Sequence, residues 1–312
     1  SANINPEIPA GTREVYESAF EDARSYPNDG YPAFRAAAAE YVGCDPDSVV
    51  PTAGGLAAIR LAIGVTVGPG DRVLVPRPSF GEYSREVELA GGKAVAVPHD
   101  ELLEHDPSAY AMAIVCTPNN PTGDCYPADE LRVFANQCAA ANTRLLADEA
   151  FLGFTDRASL AGTEGVVVAR SLTKLFGLPG LRTGFAVADG EALDRLQTAR
   201  PAWSLGGPAA AAGTHAMEDR EFVAETCRRI ARERAHLRER LTEYGFEVRP
   251  SEAPFVLCDV GEPPAALLSA CRERGVVLRD ATTFAGLDSH VRIAVRNRGA
   301  TEQLCSVLDE VW

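Results

Sequence analysis

Two lysines, Lys93 and Lys174, stand among the 30 basic residues of this 312-residue chain, and every other positive side chain is an arginine. A sequence that carries its positive charge as guanidinium keeps a lysine where arginine cannot do the work. Arginine stays protonated in a protein, whereas a lysine amine can lose its proton and attack a carbonyl to form an imine. Lys93 follows Gly91 and Gly92 in an expected turn, where a solvated charge accounts for it. Lys174 instead follows the β-branched run Val166 to Ala169, at the carboxyl end of an expected strand. Ser171 and Arg182 flank it, a hydroxyl and a guanidinium of the kind that grip a phosphate.

Other polar residues repeat this strand-end placement. Asp148 follows the run Arg144 to Ala147, and Asn120 sits in Cys116-Thr-Pro-Asn-Asn-Pro-Thr-Gly123 after the run Ala111 to Cys116. Taken alone, the aspartate reads as a cap or a paired buried charge, and the Asn-Pro and Thr-Gly steps as ordinary turns. Ala53-Gly54-Gly55-Leu56 opens an expected helix, and small residues at a helix start let backbone amides approach a phosphate, although two glycines by themselves mark only a turn. Arg279 and Arg292 fall on expected neighbouring strands further along the chain, where taken alone they read as edge-strand charges.

These residues need a scaffold that brings strand ends together. From Asp71 to Val187, short aliphatic runs alternate with helical stretches, which predicts an α/β fold with a mostly parallel sheet covered on both faces. The expected strands are 72–75, 94–97, 111–116, 144–147, 166–169 and 184–187, with helices at 57–67, 80–90 and 128–141. Such a sheet binds ligands at the carboxyl ends of its strands. Beyond Pro208 the pattern changes to a long charged helix at 218–244, with an apolar stripe at Phe222, Val223, Ile230, Leu237 and Leu241. Short segments at 246–248, 255–260, 276–278 and 291–295, a helix at 264–274 and a closing helix from Thr301 complete a smaller α+β domain. The expected division is an amino-terminal arm (1–25), a large domain (26–207) and a small domain (208–312).

Bulk composition excludes several functions. A net charge of −14 and the lack of any Lys/Arg cluster argue against nucleic acid or an anionic membrane as partner. The acidic excess in an arginine-preferring chain also fits a salt-rich cytoplasm. The five histidines lack ligand spacing, so no metal site is expected. The eight cysteines are scattered without a CxxC, as reduced thiols in a cytoplasm would be. No apolar run approaches the roughly 20 residues that span a bilayer, and there is no signal-peptide pattern. The first residue is Ser1 rather than methionine, which predicts a few residues before it.

Ser171-Leu-Thr-Lys174 with Gly180-Leu-Arg-Thr-Gly184 resembles the cofactor-lysine motif of the class I/II aminotransferase family, and the likeness extends over essentially the whole chain. The resemblance implies a fold type I transferase with pyridoxal 5'-phosphate (PLP) held covalently on Lys174 and its phosphate bound by Ser171 and Arg182. It further implies that Asn120 bonds the cofactor's ring oxygen and that Asp148 faces the pyridine nitrogen, keeping it protonated so that the ring can accept electrons. Phe80, in Pro78-Ser-Phe-Gly-Glu-Tyr83, would stack on the ring, and the amides of Gly55 and Leu56 would meet the phosphate. Tyr26 matches a tyrosine that reaches the phosphate in a neighbouring subunit, which implies a homodimer. Arg292 matches the arginine that grips an α-carboxylate, and Arg279 a position that binds substrate phosphate in the histidinol-phosphate aminotransferase branch.

Within the family the sequence is most similar to the L-threonine-O-3-phosphate decarboxylase branch of cobalamin biosynthesis. Phe151 stands where aminotransferases usually carry a tyrosine that bonds the cofactor, and Pro201-Ala-Trp-Ser204 resembles that branch's Pro-Trp-Ser stretch. Gly286-Leu-Asp-Ser289 followed by Arg292 and Arg296 resembles its double-arginine segment, and Ser1 to Pro6, with Asn3 as a substrate contact, its active-site arm. The expectation is decarboxylation of threonine phosphate to (R)-1-amino-2-propanol O-phosphate. The alternative is an aminotransferase acting on histidinol phosphate or a related amino acid, with almost the same residues.

Overall fold

The computed structural model describes residues 5–312. The large sheet is built from β1 (Val49–Thr52), β2 (Arg72–Arg77), β3 (Lys93–Pro98), β4 (Met112–Cys116), β5 (Arg144–Asp148), β6 (Val166–Ser171) and β7 (Gly184–Val187), in the order β1-β7-β6-β5-β4-β2-β3. From β3 through β2, β4 and β5 to β6 every pairing is parallel, while β7 runs antiparallel to both β6 and β1. Strands buried on both faces favour apolar residues on both, which explains the apolar runs Met112–Cys116 in β4 and 166–169 in β6.

Alternate residues of those runs serve different cores. Val73, Val75, Met112, Ile114, Leu146 and Val167 pack on one face under α3 (Gly55–Thr66), α4 (Glu82–Leu89) and α7 (Gly190–Ala199). Leu74, Ala113, Val115, Leu145, Val166 and Val168 pack on the other, with α2 (Pro32–Val42) and α5 (Ala128–Ala140). That second core continues without a break into the smaller sheet, through Leu237, Leu241, Phe255 and Val291. The helix α1 (Thr12–Phe20) and the four-residue α6 (Leu172–Leu175) complete this part, and α8 (Gly207–Glu218) packs against α1 and α2.

The smaller sheet has the order β10-β11-β9-β8, all antiparallel, from β8 (Glu247–Val248), β9 (Phe255–Asp259), β10 (Arg279–Asp280) and β11 (His290–Ala294). Helices α9 (Arg220–Glu243), α10 (Ala265–Glu273) and α11 (Arg298–Val311) flank it. The long helix begins at Arg220 rather than within one continuous 218–244 stretch. Asp219 leaves helical geometry there and accepts from the Phe222 amide, capping the new helix at 2.9 Å. The closing helix starts three residues before Thr301, because Asn297 caps it through the Ala300 amide. The strand expected at 276–278 forms instead at Arg279–Asp280, opposite Arg292 and Val291.

All eight cysteines are free, five of them buried. Among the described residues no helix is long and apolar enough to cross a membrane.

Candidate active site

Parallel strands send their carboxyl ends to one edge, and the polar residues singled out above gather there. Asp148 ends β5 and is 5% exposed. Its Oδ2 accepts a 2.5 Å hydrogen bond from the Tyr83 hydroxyl, and its Oδ1 accepts from the Ala150 amide at 3.0 Å. Burial raises the carboxyl above its ordinary range, opposed by the Tyr83 and Ala150 bonds and by the charge of Lys174. Burial and the adjacent carboxylate push the Tyr83 phenol well up, so it remains a donor. A buried carboxylate held in this way fits a cationic partner, and a protonated pyridine nitrogen would lower its pKa again.

Lys174 lies in α6, one helical turn beyond the end of β6. Its amine is held below its ordinary range first by burial and then by the charges of Arg182 and Arg292, with Asp148 acting in the opposite direction. Desolvation beside other cations is what makes a lysine a competent nucleophile and base near neutral pH.

The amino end of α3 forms a cradle suited to a phosphate. Gly54 precedes α3 with φ +90°, and a Cβ placed on it would come within 2.9 Å of Arg182 Nη2. A Cβ on Gly55 would stand 3.0 Å from the Ser171 Cβ. The absence of side chains thus opens the amino end of α3 toward Ser171 and Arg182, where backbone N–H groups and the helix dipole favour an anion. Ser171 Oγ lies 2.8 Å from Thr173 Oγ1, which adds a second hydroxyl that the sequence reading left out. Arg182 adopts φ +52° and also donates to the Pro179 carbonyl at 3.2 Å. A buried carboxylate, a perturbed lysine and an anion cradle in this arrangement fit PLP: Asp148 would pair with its ring nitrogen, Lys174 would hold its carbonyl carbon, and Ser171, Arg182 and the amino end of α3 would take its phosphate.

A cleft of about 540 Å³ opens beside these groups, lined by Arg77, Phe80, Asn120, Arg279, Phe284 and Arg292 among others. Asn120 accepts a hydrogen bond from Arg292 Nη1. Arg292 is buried, and desolvation followed by the charge of Arg279 lowers it to about 10. Its guanidinium lies 4.9 Å over the ring of Phe255, against which Phe151 packs edge-on at 5.1 Å. Phe151 therefore acts in this structure as part of the apolar floor beneath Arg292. Arg279, directly opposite Arg292 across β10 and β11, donates to Thr283 Oγ1 at 3.0 Å and lies over Phe284.

One expected site residue, Arg296, is not brought to this cleft. Arg296 lines a separate depression with Leu237, Val276 and Thr301, because β11 ends at Ala294 and the chain turns into α11. Tyr26 is 79% exposed and stacks on Trp203 at 4.4 Å, beside a different groove. Asn3 lies outside the described residues. Tyr83 is a residue the sequence reading did not single out for the site, a buried aromatic whose hydroxyl needs a partner and finds the Asp148 carboxylate.

The family described as Aminotransferase class I and II matches residues 5–308. The histidinol-phosphate aminotransferase of Symbiobacterium thermophilum is 37% identical over 268 residues, covering 80% of this chain and 73% of its own. Among solved structures, the histidinol-phosphate aminotransferase from Clostridium acetobutylicum superposes with a TM-score of 0.91 at 22% identity, covering 100% of this chain and 98% of its own. The L-threonine-O-3-phosphate decarboxylase from Porphyromonas gingivalis reaches 0.89 at 23% identity, covering 99% and 98%. At such identities the superpositions show a common fold type I architecture and do not separate the two reactions. The match along nearly the whole chain and the assembled lysine, aspartate and anion cradle place the protein in the class I and II aminotransferase family, as an enzyme whose cofactor is pyridoxal 5'-phosphate.

Proposed function

We propose that this enzyme moves an amino group between a small phosphorylated amine of the histidinol phosphate type and a keto acid. The observation that carries the reading is the pair Arg279 and Arg292, opposite each other on adjacent strands and both lining the cleft. An enzyme of this kind must take two different substrates at one site in turn. A phosphate monoester in one half-reaction and a dicarboxylic keto acid in the other both present an anion to the same guanidiniums. The 37% identity to a histidinol-phosphate aminotransferase supports the same choice over threonine phosphate decarboxylation. The decarboxylase reading retains Phe151 in its favour, where a tyrosine hydroxyl is missing.

PLP, when bound, draws the electrons of a broken bond at the substrate's reacting carbon into its ring. The chain's own residues decide which bond that is. Arg279 and Arg292 fix the pose, Asp148 holds a positive charge at its end of the site, and the Lys174 amine removes the proton and returns it at the neighbouring carbon. Purified holoenzyme supplied with histidinol phosphate and 2-oxoglutarate is expected to form glutamate, with no carbon dioxide released from threonine phosphate. Carbon dioxide from threonine phosphate without any keto acid would reverse the assignment.

Arg279→Ala tests the anion pair. A hydrogen bond to a charged group is worth about 1.5–3 kcal/mol, so KM for histidinol phosphate is expected to rise roughly 10- to 100-fold. KM for an amine donor lacking a phosphate should change less than about threefold, because it forms no bond of that strength at Arg279. Equal losses on both donors would remove Arg279 from phosphate recognition.

We also infer that a second copy of the chain covers the groove between α1 and the start of α8. Phe20 and Tyr26 line this groove, Trp203 stacks on Tyr26, and the three rings are 63%, 79% and 47% exposed. Apolar aromatic surface of this kind is the usual core of an interface. Tyr26 would then serve the neighbouring site. Light scattering on the purified protein is expected to give twice the chain mass, and a monomer would leave Tyr26 without that role.

A further inference from the structure

Asn5 ties the main chain of the cofactor lysine to the long helix of the small domain. Its backbone N–H donates to the carbonyl oxygen of Lys174 at 2.9 Å, and its side-chain Nδ2 donates to the carbonyl of Leu175, also at 2.9 Å. Those two carbonyls belong to the last residues of α6, a helix too short to bond them internally. The same Nδ2 lies 3.4 Å from Thr226 Oγ1 on α9, and Asn5 Oδ1 accepts from Arg229 Nη2 of α9 at 2.8 Å. Arg229 also pairs with Glu7 at 3.1 Å. Gly177 lets this segment lie close to the chain after Lys174: with φ +63°, a Cβ there would meet the Glu7 carbonyl at 2.5 Å and the Asn5 carbonyl at 2.9 Å. Asn5 itself is 3% exposed.

We propose that Asn5 is a positioning residue for catalysis, fixing the peptide of Lys174 and Leu175 so that the Lys174 amine is held inside the site, and linking that peptide to α9. A buried, fully bonded amide is a rigid support, and small displacements of a reacting group cost large factors in rate. The proposal rests on Lys174 being the cofactor lysine and is independent of which phosphorylated substrate is used. The charged groups acting on the amine are Arg182, Arg292 and Asp148, and burial is the largest cause of its lowered pKa. A loosened α6 lets the Lys174 nitrogen reach water, which favours its protonated form both as the free amine and as the imine to the cofactor, and so raises the pH at which it deprotonates.

The test uses holoenzyme and three variants. Asn5→Ala removes every side-chain bond. Arg229→Ala removes the guanidinium contact from α9 while leaving the bonds to Lys174, Leu175 and Thr226. Asn5→Asp is isosteric, keeps the acceptor for Arg229 and loses the donor to Leu175. The readouts are the pH midpoint of the visible absorbance of the cofactor bound to Lys174, kcat and KM. Asn5→Ala is expected to raise the midpoint by about half a pH unit or more and to lower kcat roughly tenfold, with KM within about twofold. Arg229→Ala is expected to lower the melting temperature while leaving midpoint and kcat in place. If Asn5→Ala does not fold, Asn5→Asp is judged by the same criteria. An unchanged midpoint and kcat in the Asn5 variant, or an equal shift in Arg229→Ala, overturns the assignment, since the segment would then serve only to dock the chain. A donor that fails to react in every variant and in the parent bears on the substrate alone, because the absorbance titration needs no substrate.

Discussion

Lys174→Ala is expected to lose the visible absorbance of covalently held cofactor and to lower turnover by about 10³- to 10⁴-fold, the upper range for removing a positioned acid or base together with a nucleophile. The only other lysine, Lys93, opens β3 at the far edge of the large sheet, so no second amine stands ready to replace it. The cradle of Gly54, Gly55, Ser171 and Arg182 is intact in this variant, so the cofactor should still bind without a covalent link. Spectra of the purified variant with added PLP, beside its kcat, check both statements. Turnover within tenfold of the parent would mean that the proton is moved by another group.

Asp148→Asn is expected to cost about 10²- to 10³-fold in kcat, the usual range for deleting one preorganised charge or donor aimed at developing charge. The carboxylate is buried and receives the Tyr83 hydroxyl, so an amide there keeps the shape and loses the charge that stabilises a protonated ring nitrogen. Substrate KM should change little, because Arg279 and Arg292 are untouched. Tyr83→Phe removes one hydrogen bond to a charged group, and roughly a tenfold fall in kcat is expected. Steady-state kinetics of the two variants give the comparison. A Tyr83→Phe loss as large as that of Asp148→Asn would point to Tyr83 as the more important group.

Lys174, Asp148 and Asn120 were expected at strand ends because each comes soon after an apolar run read as a buried strand, while their roles, and those of Ser171 and Arg182, came from the likeness to the family's motifs. Placement at the ends of parallel strands then brings distant residues together without further information. Residues whose role depends on tertiary approach were hidden. Tyr83 meets Asp148 across 65 positions, and the only local clue was a tyrosine in an apolar helical stripe, whose hydroxyl needs a partner once buried. Asn5 bonds a carbonyl 170 positions away, a contact that no local periodicity encodes. Arg296 entered through the family's double-arginine segment, and no pattern showed that the strand ends at Ala294 and that Asn297 begins a helix cap, which turns Arg296 to a separate depression. The edge strand β1 was missed for a similar reason: four residues, one of them proline, carry too little pattern to stand out.

The reaction itself could not be read from residue types, since transamination and decarboxylation use almost the same side chains and differ in the bond held out of the ring plane. The most direct test is a single half-reaction. Holoenzyme mixed with histidinol phosphate and no keto acid is expected to lose its visible absorbance once, in proportion to enzyme, as the amino group passes to the cofactor, and to regain it on addition of 2-oxoglutarate. Absorbance untouched by histidinol phosphate, with continuous release of carbon dioxide from threonine phosphate in the absence of any keto acid, would contradict the account.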